Sequence, residues 1–434
     1  MELPADFIVQ TREVMGEELF GRYLKSFEEQ VPVSIRLNPK KCSCYGVAHH
    51  AAYEPVRWCD EGFYLPARPN FTFDPLFHAG VYYVQEASSM FLSHVVHGLL
   101  ASNLIPDDGR VLDLCAAPGG KSTLLRSVIP EGCTLVSNEP VRTRAQILAE
   151  NVQKWGYARH IVTNNYPRDF RAAGLKYDMI VCDVPCSGEG MFRKDEATIS
   201  EWSLKNVEKC WQLQREIVTD AWACLRDGGI LVYSTCTFNT KENEENIRWM
   251  MQELGAEVLK VPTDDEWGIT GSLLPRFCAP VYRFIPGVSR GEGLFMCVLR
   301  KGHTDTPSDD HHTTSVKKKK KAVLNVLADG NYPLPTAKGR DLIPAPAEAL
   351  HTELDHKKYP TAELYYPQAI AYLRREAITL EAGLPRGFVV VTFMGVPLGL
   401  VKNIGNRANT HYPDNWKIKT THIPQDYEAI LRHT

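Results

Sequence analysis

No stretch of the chain approaches the roughly 20 consecutive apolar residues that a membrane-spanning helix needs, so no membrane partner is expected. No CxxC pair occurs. Cys42 and Cys44 are one residue apart, too close for the usual zinc spacing, and His303, His311 and His312 have no cysteine pair to join, so no metal is expected. There is no surplus of positive charge: 49 Lys and Arg against 52 Asp and Glu leave a net charge of −3. That argues against a nonspecific nucleic-acid binder while leaving room for a local basic face. The opening residues, MELPADFIVQTREVMGEELF, have neither the basic start nor the apolar run of a secretory signal. A cytoplasmic location is therefore expected, with the 12 cysteines as reduced thiols rather than a disulfide framework.

The 434 residues suffice for two or three domains. The sharpest stretch is 107–122, DDGRVLDLCAAPGGKS. Val111 and Leu112 read as a buried strand and Asp113 and Leu114 as its carboxyl end. Gly119 and Gly120 read as a turn where a side chain would block a ligand from the backbone. Lys121, Ser122 and Thr123 open a helix, whose first N–H groups are available to a ligand. The spacing is neither GxxxxGK[ST] nor GxGxxG, which speaks against a phosphate loop and a dinucleotide fingerprint. A second apolar strand, CTLVSNE, ends in Glu139, 20 residues beyond Gly119. An acid at that place in a doubly wound sheet can accept both hydroxyls of a ribose.

From 107 to about 300 strand and helix signals alternate, which predicts an α/β domain with a mostly parallel sheet. The strands are expected at 110–114, 133–138, 160–163, 178–183, 229–234 and 294–300, with helices at 141–155, 202–225 and 241–254. Residues 280–300 are expected to supply a late antiparallel hairpin. Two further segments stand at strand ends. One is YDMIVCDVPCSGEGMFRKD (177–195), with Asp183 closing the strand and Cys186 in the loop. The other is GGILVYSTCTFNTKENEENI (228–247), with Cys236 just past its strand. Ligands of open parallel sheets bind outside the carboxyl ends of the strands, so both thiols can face one crevice. Each can equally be a small buried hydrophobe. Arg193-Lys194-Asp195 reads either as an RNA-phosphate contact or as a solvated charge group.

Before this domain, residues 3–29 read as helices and 31–38 as a strand, on which Arg36 is either solvated or an RNA contact. The aromatics of 55–85 either fill a core or stack on bases. Residues 86–101 read as a helix. After it, 301–321 reads as a polar, disordered linker, whose Lys317–Lys321 could touch phosphates or be merely solvated. A helix at 364–375 and the strands VVVTF and PLGLVKN follow. The expected division is 1–85, 86–300, a linker 301–321, and a β-rich module 322–434.

The strings DLCAAPGGKS, PCSG and STCTF together resemble the NOL/NOP/Sun family of RNA cytosine-5 methyltransferases. QEASSM and SIRLN resemble its N-terminal segments, and GLVKNIGNRANTHYP resembles the C-terminal PUA-like module of its RsmF-type branch. The resemblance implies a Rossmann-like class I methyltransferase domain between a small N-terminal α/β RNA-binding appendage and an RNA-docking PUA-like domain. It implies S-adenosylmethionine as cofactor, with Cys115, Ala116, Ala117, Pro118, Gly119, Gly120 and Lys121 around its methionine and ribose, and Glu139 on the ribose hydroxyls. Asn165 stands where the family contacts adenine, and Asp183 also borders the cofactor. It implies Cys236 as the nucleophile that adds to carbon 6 of cytosine, Cys186 as the helper in its release, and Asp183 at the exocyclic amine and ring nitrogen. Lys121 would also approach the target. The expected partner is ribosomal RNA, with the small subunit first, and the expected state is a monomer. Transfer RNA, or a non-catalytic role in ribosome assembly, stand as alternatives.

Overall fold

The computed structural model describes residues 2–49, 53–302, 323–329, 333–339, 341–355, 357–420, 422–424 and 426–433. Most of the expected linker, with Lys317–Lys321 and the three histidines, lies outside them.

The chain opens with helix α1 (Ala5–Lys25), interrupted by the non-helical backbone of Gly16. An antiparallel sheet follows, built from β1 (Val33–Leu37), β3 (Glu54–Val56), β4 (Cys59–Leu65) and β5 (Tyr82–Val84) in the order β3-β4-β1-β5. The short elements α2 (Pro39–Cys44), β2 (Val47–His49) and α3 (Pro75–His78) sit between them. Trp58, Phe63, Tyr64, Phe71, Phe73 and Tyr82 are all buried here. The aromatic stretch therefore fills a core, as the commoner of its two readings has it.

Helix α4 (Phe91–Ala101) leads into a nine-stranded sheet: β6 (Arg110–Asp113), β7 (Thr134–Asn138), β8 (His160–Thr163), β9 (Tyr177–Asp183), β10 (Leu225–Thr235), β11 (Ala256–Leu259), β12 (Tyr282–Phe284), β13 (Leu294–Lys301) and β14 (Val326–Ala328). The order is β11-β13-β10-β9-β6-β7-β8-β14, with β12 on β13. β8, β7, β6, β9 and β10 run parallel, while β13 is antiparallel to β10. The apolar runs in these strands match burial on both faces. Val111, Met179, Val181, Ile230 and Val232 pack under α4 and α5 (Gly120–Val128). Leu112, Ile180, Cys182, Leu231 and Tyr233 form the other face. The remaining helices of this domain are α6 (Arg142–Trp155), α7 (Pro167–Ala173), α8 (Glu196–Glu201), α9 (Leu204–Cys224) and α10 (Glu244–Glu253). Because the chain leaves β6 toward β7 and returns to β9 on its other side, the strand order reverses at β6 and opens a crevice at the carboxyl ends of β6 and β9.

The C-terminal part holds the hairpin β15 (Thr336–Lys338) and β16 (Asp341–Ile343), helix α11 (Tyr366–Leu373), and the sheet β17 (Thr361–Glu363), β18 (Gly387–Phe393), β19 (Val396–Asn403) and β20 (Ala408–Thr410). It ends on β21 (Leu431–His433).

Two features differ from the division expected at residue 322. β14 is an edge strand of the large sheet, antiparallel to β8. The N- and C-terminal parts also share one core: Ile35, Phe63, Phe73, Leu76 and Val81 cluster with Ile370, Leu373, Val389, Trp416 and Leu431. β2 pairs with β21, and Asp74 accepts from Tyr82 (2.7 Å) and Tyr427 (3.1 Å). No described helix is long and apolar enough to cross a membrane, and no metal-competent group of side chains occurs among the described residues.

Ending the chain after Gly302 would open that shared core. Such a truncation should yield aggregated or dye-binding protein with a lowered melting temperature. A monodisperse product that melts like the full chain would show the two parts to be independent.

Candidate active site

β9 ends at Asp183, and its carboxylate is fixed from two sides: Ser234 Oγ donates to Oδ1 at 2.6 Å, and Lys121 Nζ lies 2.8 Å from Oδ2. Burial pulls the Lys121 ammonium down, but the charge and hydrogen bond of Asp183 more than reverse this, so its pKa lies above the ordinary value. Beneath the glycine turn, Ser122 Oγ donates to Asp113 Oδ2 at 2.6 Å, and burial pushes Asp113 up to about 7.

The loops after β9 and β10 bring Cys186 Sγ to 3.2 Å from Cys236 Sγ. The hydrogen bond to Cys236, then burial, raise the Cys186 thiol well above its ordinary value. Each loop carries a buried acid that binds the other loop's backbone. Glu189 accepts from the N–H groups of Phe238 (2.7 Å) and Asn239 (2.9 Å). Glu242 accepts from the N–H of Ser187 (3.1 Å) and from Gln214 Nε2 (2.7 Å). Gly190 donates to the carbonyl of Cys236 at 2.7 Å, and a Cβ at Gly190 would stand 2.5 Å from that oxygen. Arg283, paired with Glu244, donates to the carbonyl of Phe238 at 2.8 Å. Helix α1 covers these loops, with Phe7 against Phe192 and Trp202.

A cleft of about 780 Å³ runs from Asp183 over the glycine turn to the N-terminal sheet, and neither Cys186 nor Cys236 is on its lining. Cys115, Ala116, Ala117, Pro118, Gly120, Lys121 and Asp183 line it from the large domain, and Tyr83, Gln85, Arg193 and Lys194 lie among its other walls. The two glycines differ in role. Gly119 has φ of 116°, and a Cβ there would press on Leu148 at 3.2 Å, away from the cleft; only Gly120 lines it.

Glu139 and Asn165 are not on this lining. Glu139 is buried; Oε1 accepts from the N–H of Val141 at 2.9 Å, and Oε2 lies 3.4 Å from Arg144, which also donates to the carbonyl of Ala117 at 3.1 Å. The amide of Asn165 holds the edge strand's approach, donating to the carbonyl of Asn325 (3.1 Å) and accepting from its N–H (2.9 Å).

Two charged residues depart from their sequence readings. Arg193 borders the cleft, but its side chain is largely buried, with the guanidinium 2.8 Å from Glu292. Arg36 is 1 % exposed and donates to Gln85 Oε1 and Thr123 Oγ1, both at 2.7 Å. Sequence reasoning missed Gln85, Glu189 and Glu242. The two acids lie inside the cysteine motifs, and their only signal was a charge flanking a thiol-bearing loop.

Known families match all three parts of the chain. Residues 101–300 match the 16S rRNA methyltransferase RsmB/F family, residues 3–87 the N-terminal domain of 16S rRNA methyltransferase RsmF, and residues 359–418 the methyltransferase RsmF PUA domain. A curated protein of Salmonella agona (strain SL483), "Ribosomal RNA small subunit methyltransferase F", is 32% identical, with 94% of this chain and 95% of that protein covered. The chain belongs to the RsmF methyltransferase family.

The protein of the same name from Shigella flexneri serotype 5b (strain 8401) is 30% identical over 94% of this chain and 95% of its own length. Among solved structures, a methyltransferase homologue from Pyrococcus horikoshii has TM-score 0.55 and 26% identity, covering 68% of this chain and 93% of its own. NSun6 from Pyrococcus horikoshii, solved with an analogue of S-adenosylmethionine, has TM-score 0.56 at 20% identity, covering 69% of this chain and 99% of its own, a likeness of fold. Like its family, this chain is an S-adenosylmethionine-dependent methyltransferase with a PUA domain. The residues fit that cofactor: the cleft has the size of a small-molecule site, and it is walled by small residues and an N-terminal helix turn, with the Lys121–Asp183 pair at one end.

A methyl group at Gly120 would stand in this cleft, 3.5 Å from Gln85 Nε2 and Tyr83 Cε1, in ordinary contact with both. Gly120→Ala should therefore keep the fold and weaken S-adenosylmethionine binding by about tenfold or more, measured calorimetrically. Gly119→Val should instead lower the melting temperature, through its backbone and Leu148. The reverse pattern would move the cofactor off this cleft.

Proposed function

We propose that the enzyme methylates carbon 5 of cytosine in small-subunit ribosomal RNA through a covalent bond between Cys236 and carbon 6. The observation that carries this reading is the pair of sulfurs at 3.2 Å beside the Lys121–Asp183 pair. The names of the full-length relatives support the choice of RNA.

Carbon 5 of cytosine is a poor nucleophile until a thiolate adds to carbon 6. The attack is assigned to Cys236, in the Thr-Cys-Thr loop, by the resemblance to the cytosine-5 methyltransferases, and the Cys186 sulfur lies 3.2 Å from it. Asp183, fixed by Ser234 and Lys121, would accept from the exocyclic amine and from the ring nitrogen as the latter gains a proton and the electrons move toward carbon 5. S-adenosylmethionine supplies the electrophilic methyl group. Ala116, Ala117, Pro118, Gly120 and Lys121 seat it, and Glu139 accepts its ribose hydroxyls once the half-exposed Arg144 turns aside. Asn165 shapes the adenine end through its grip on residue 325 rather than with a free amide.

The release step follows from what raises Cys186. Its hydrogen bond to Cys236 and the nearby charge of that sulfur are two of the causes. A thioether at Cys236 is neutral, which removes the second of them. Cys186 then gives its proton to water and, as a thiolate, takes the proton of carbon 5; the freed electron pair restores the carbon 5–carbon 6 double bond while the Cys236–carbon 6 bond breaks and returns its electrons to Cys236.

Cys236→Ala should lower turnover by about three orders of magnitude or more and form no adduct. Cys186→Ala should complete addition and methyl transfer, then accumulate a protein–RNA adduct that survives denaturing electrophoresis. The opposite pattern would put the nucleophile in the Pro-Cys loop, and full activity in both variants would end the covalent mechanism. Comparing ribosomal with transfer RNA as substrate tests the choice of target.

A further inference from the structure

Gln85, just past β5, is buried, and its Nε2 makes no hydrogen bond among the described residues. Its orientation is settled by chemistry. Oε1 receives Arg36 Nε at 2.7 Å, and arginine has no acceptor to offer an amide nitrogen, so the NH₂ group must point the other way. Arg36 cannot shift to accommodate a flip: its guanidinium also donates to Thr123 Oγ1 at 2.7 Å and lies 4.5 Å from the ring of Trp155.

On the other side of the amide is the glycine turn. A Cβ at Gly120 would come within 3.5 Å of Nε2, so this donor sits over the first residue of α5. Gln85 and Gly120 line the same cleft as Ala116, Ala117 and Lys121. A buried donor without an acceptor is costly, and here it stands beside the first N–H groups of a helix, which also lack intrahelical partners and carry partial positive charge. Together they make a place for an anionic acceptor. The one anionic group of S-adenosylmethionine is the carboxylate of its methionine part.

We propose that Gln85 donates its free amide N–H to the methionine carboxylate of S-adenosylmethionine at the start of α5. This rests on the assignment of that cofactor to the cleft. It also explains why a polar side chain is buried under the N-terminal sheet. Gln85 belongs to the segment joining that sheet to the large domain, so both contribute to one cofactor pocket.

The test compares two nucleosides on the full chain. S-adenosylhomocysteine carries the carboxylate, and 5′-methylthioadenosine lacks the whole amino-acid end. In Gln85→Leu the donor is gone; in Gln85→Glu it is replaced by an acceptor of like charge to the ligand, which keeps a partner in Arg36. The Kd of S-adenosylhomocysteine should rise by about tenfold in the first variant and further in the second, while that of 5′-methylthioadenosine stays at the wild-type value in both. Equal losses for both nucleosides, no loss for either, or a loss confined to RNA affinity would overturn the assignment, the last by making an RNA phosphate the acceptor. If the unaltered chain binds neither nucleoside, the cofactor assignment itself falls, and this one with it.

Discussion

Two sulfurs fifty positions apart in the chain sit in contact, and beyond the packing of Phe192 and Phe238 beneath α1 their loops are tied by polar contacts. These form a reciprocal exchange: Glu189 of the first loop takes backbone N–H groups of the second, and Glu242 of the second takes a backbone N–H of the first. Burying two carboxylates is expensive unless each is fully hydrogen-bonded. Asn239, donating to both acids, lies between them. Burial and the neighbouring Glu189 leave Glu242 raised to about 7. Such an arrangement tolerates few substitutions, because removing one acid strands the donors of the opposite loop.

The same logic of distant partners governs the molecule's periphery. The N-terminal sheet is too small to bury its own aromatics, and the C-terminal sheet has one face to cover. They solve both problems by packing on each other. The joint reaches the large domain at Gly156, just past α6, whose carbonyl accepts from Thr352 at 2.8 Å. A Cβ at Gly156 would stand 2.1 Å from the carbonyl oxygen of Leu350, so the approach requires glycine. The parts that flank the catalytic domain in sequence are one body in space.

Much of the catalytic domain was legible in the sequence, because its physics is local. A strand such as Ile230–Tyr233 declares itself by continuous apolar residues, and the turn before α5 by its glycines. The order of motifs along a parallel sheet then places Asp183, Cys186 and Cys236 at one edge. What could not be read is set by contacts far along the chain. Arg36 looks like any strand arginine until Thr123, 87 residues on, takes its guanidinium. Asn165 reads as a ligand contact until Asn325, 160 residues on, occupies its amide. Arg193 shows nothing of Glu292, 99 residues away. In each case a polar side chain has its partner chosen by tertiary structure, and single-sequence patterns carry no record of that choice.

The choice of Arg36 has a consequence for the pocket as a whole. Burial lowers its pKa to about 10, so it stays charged at neutral pH, and a buried charge must keep its acceptors. Those acceptors are Thr123 and the carbonyl of Gly120 on one side and Gln85 on the other. Any movement of β1 against α5 would strip them away. The N-terminal sheet is thus locked to the glycine turn by a cation that has no cheaper place to go. The cofactor cleft therefore has a rigid wall on the side where a single fold domain would have left it open to water.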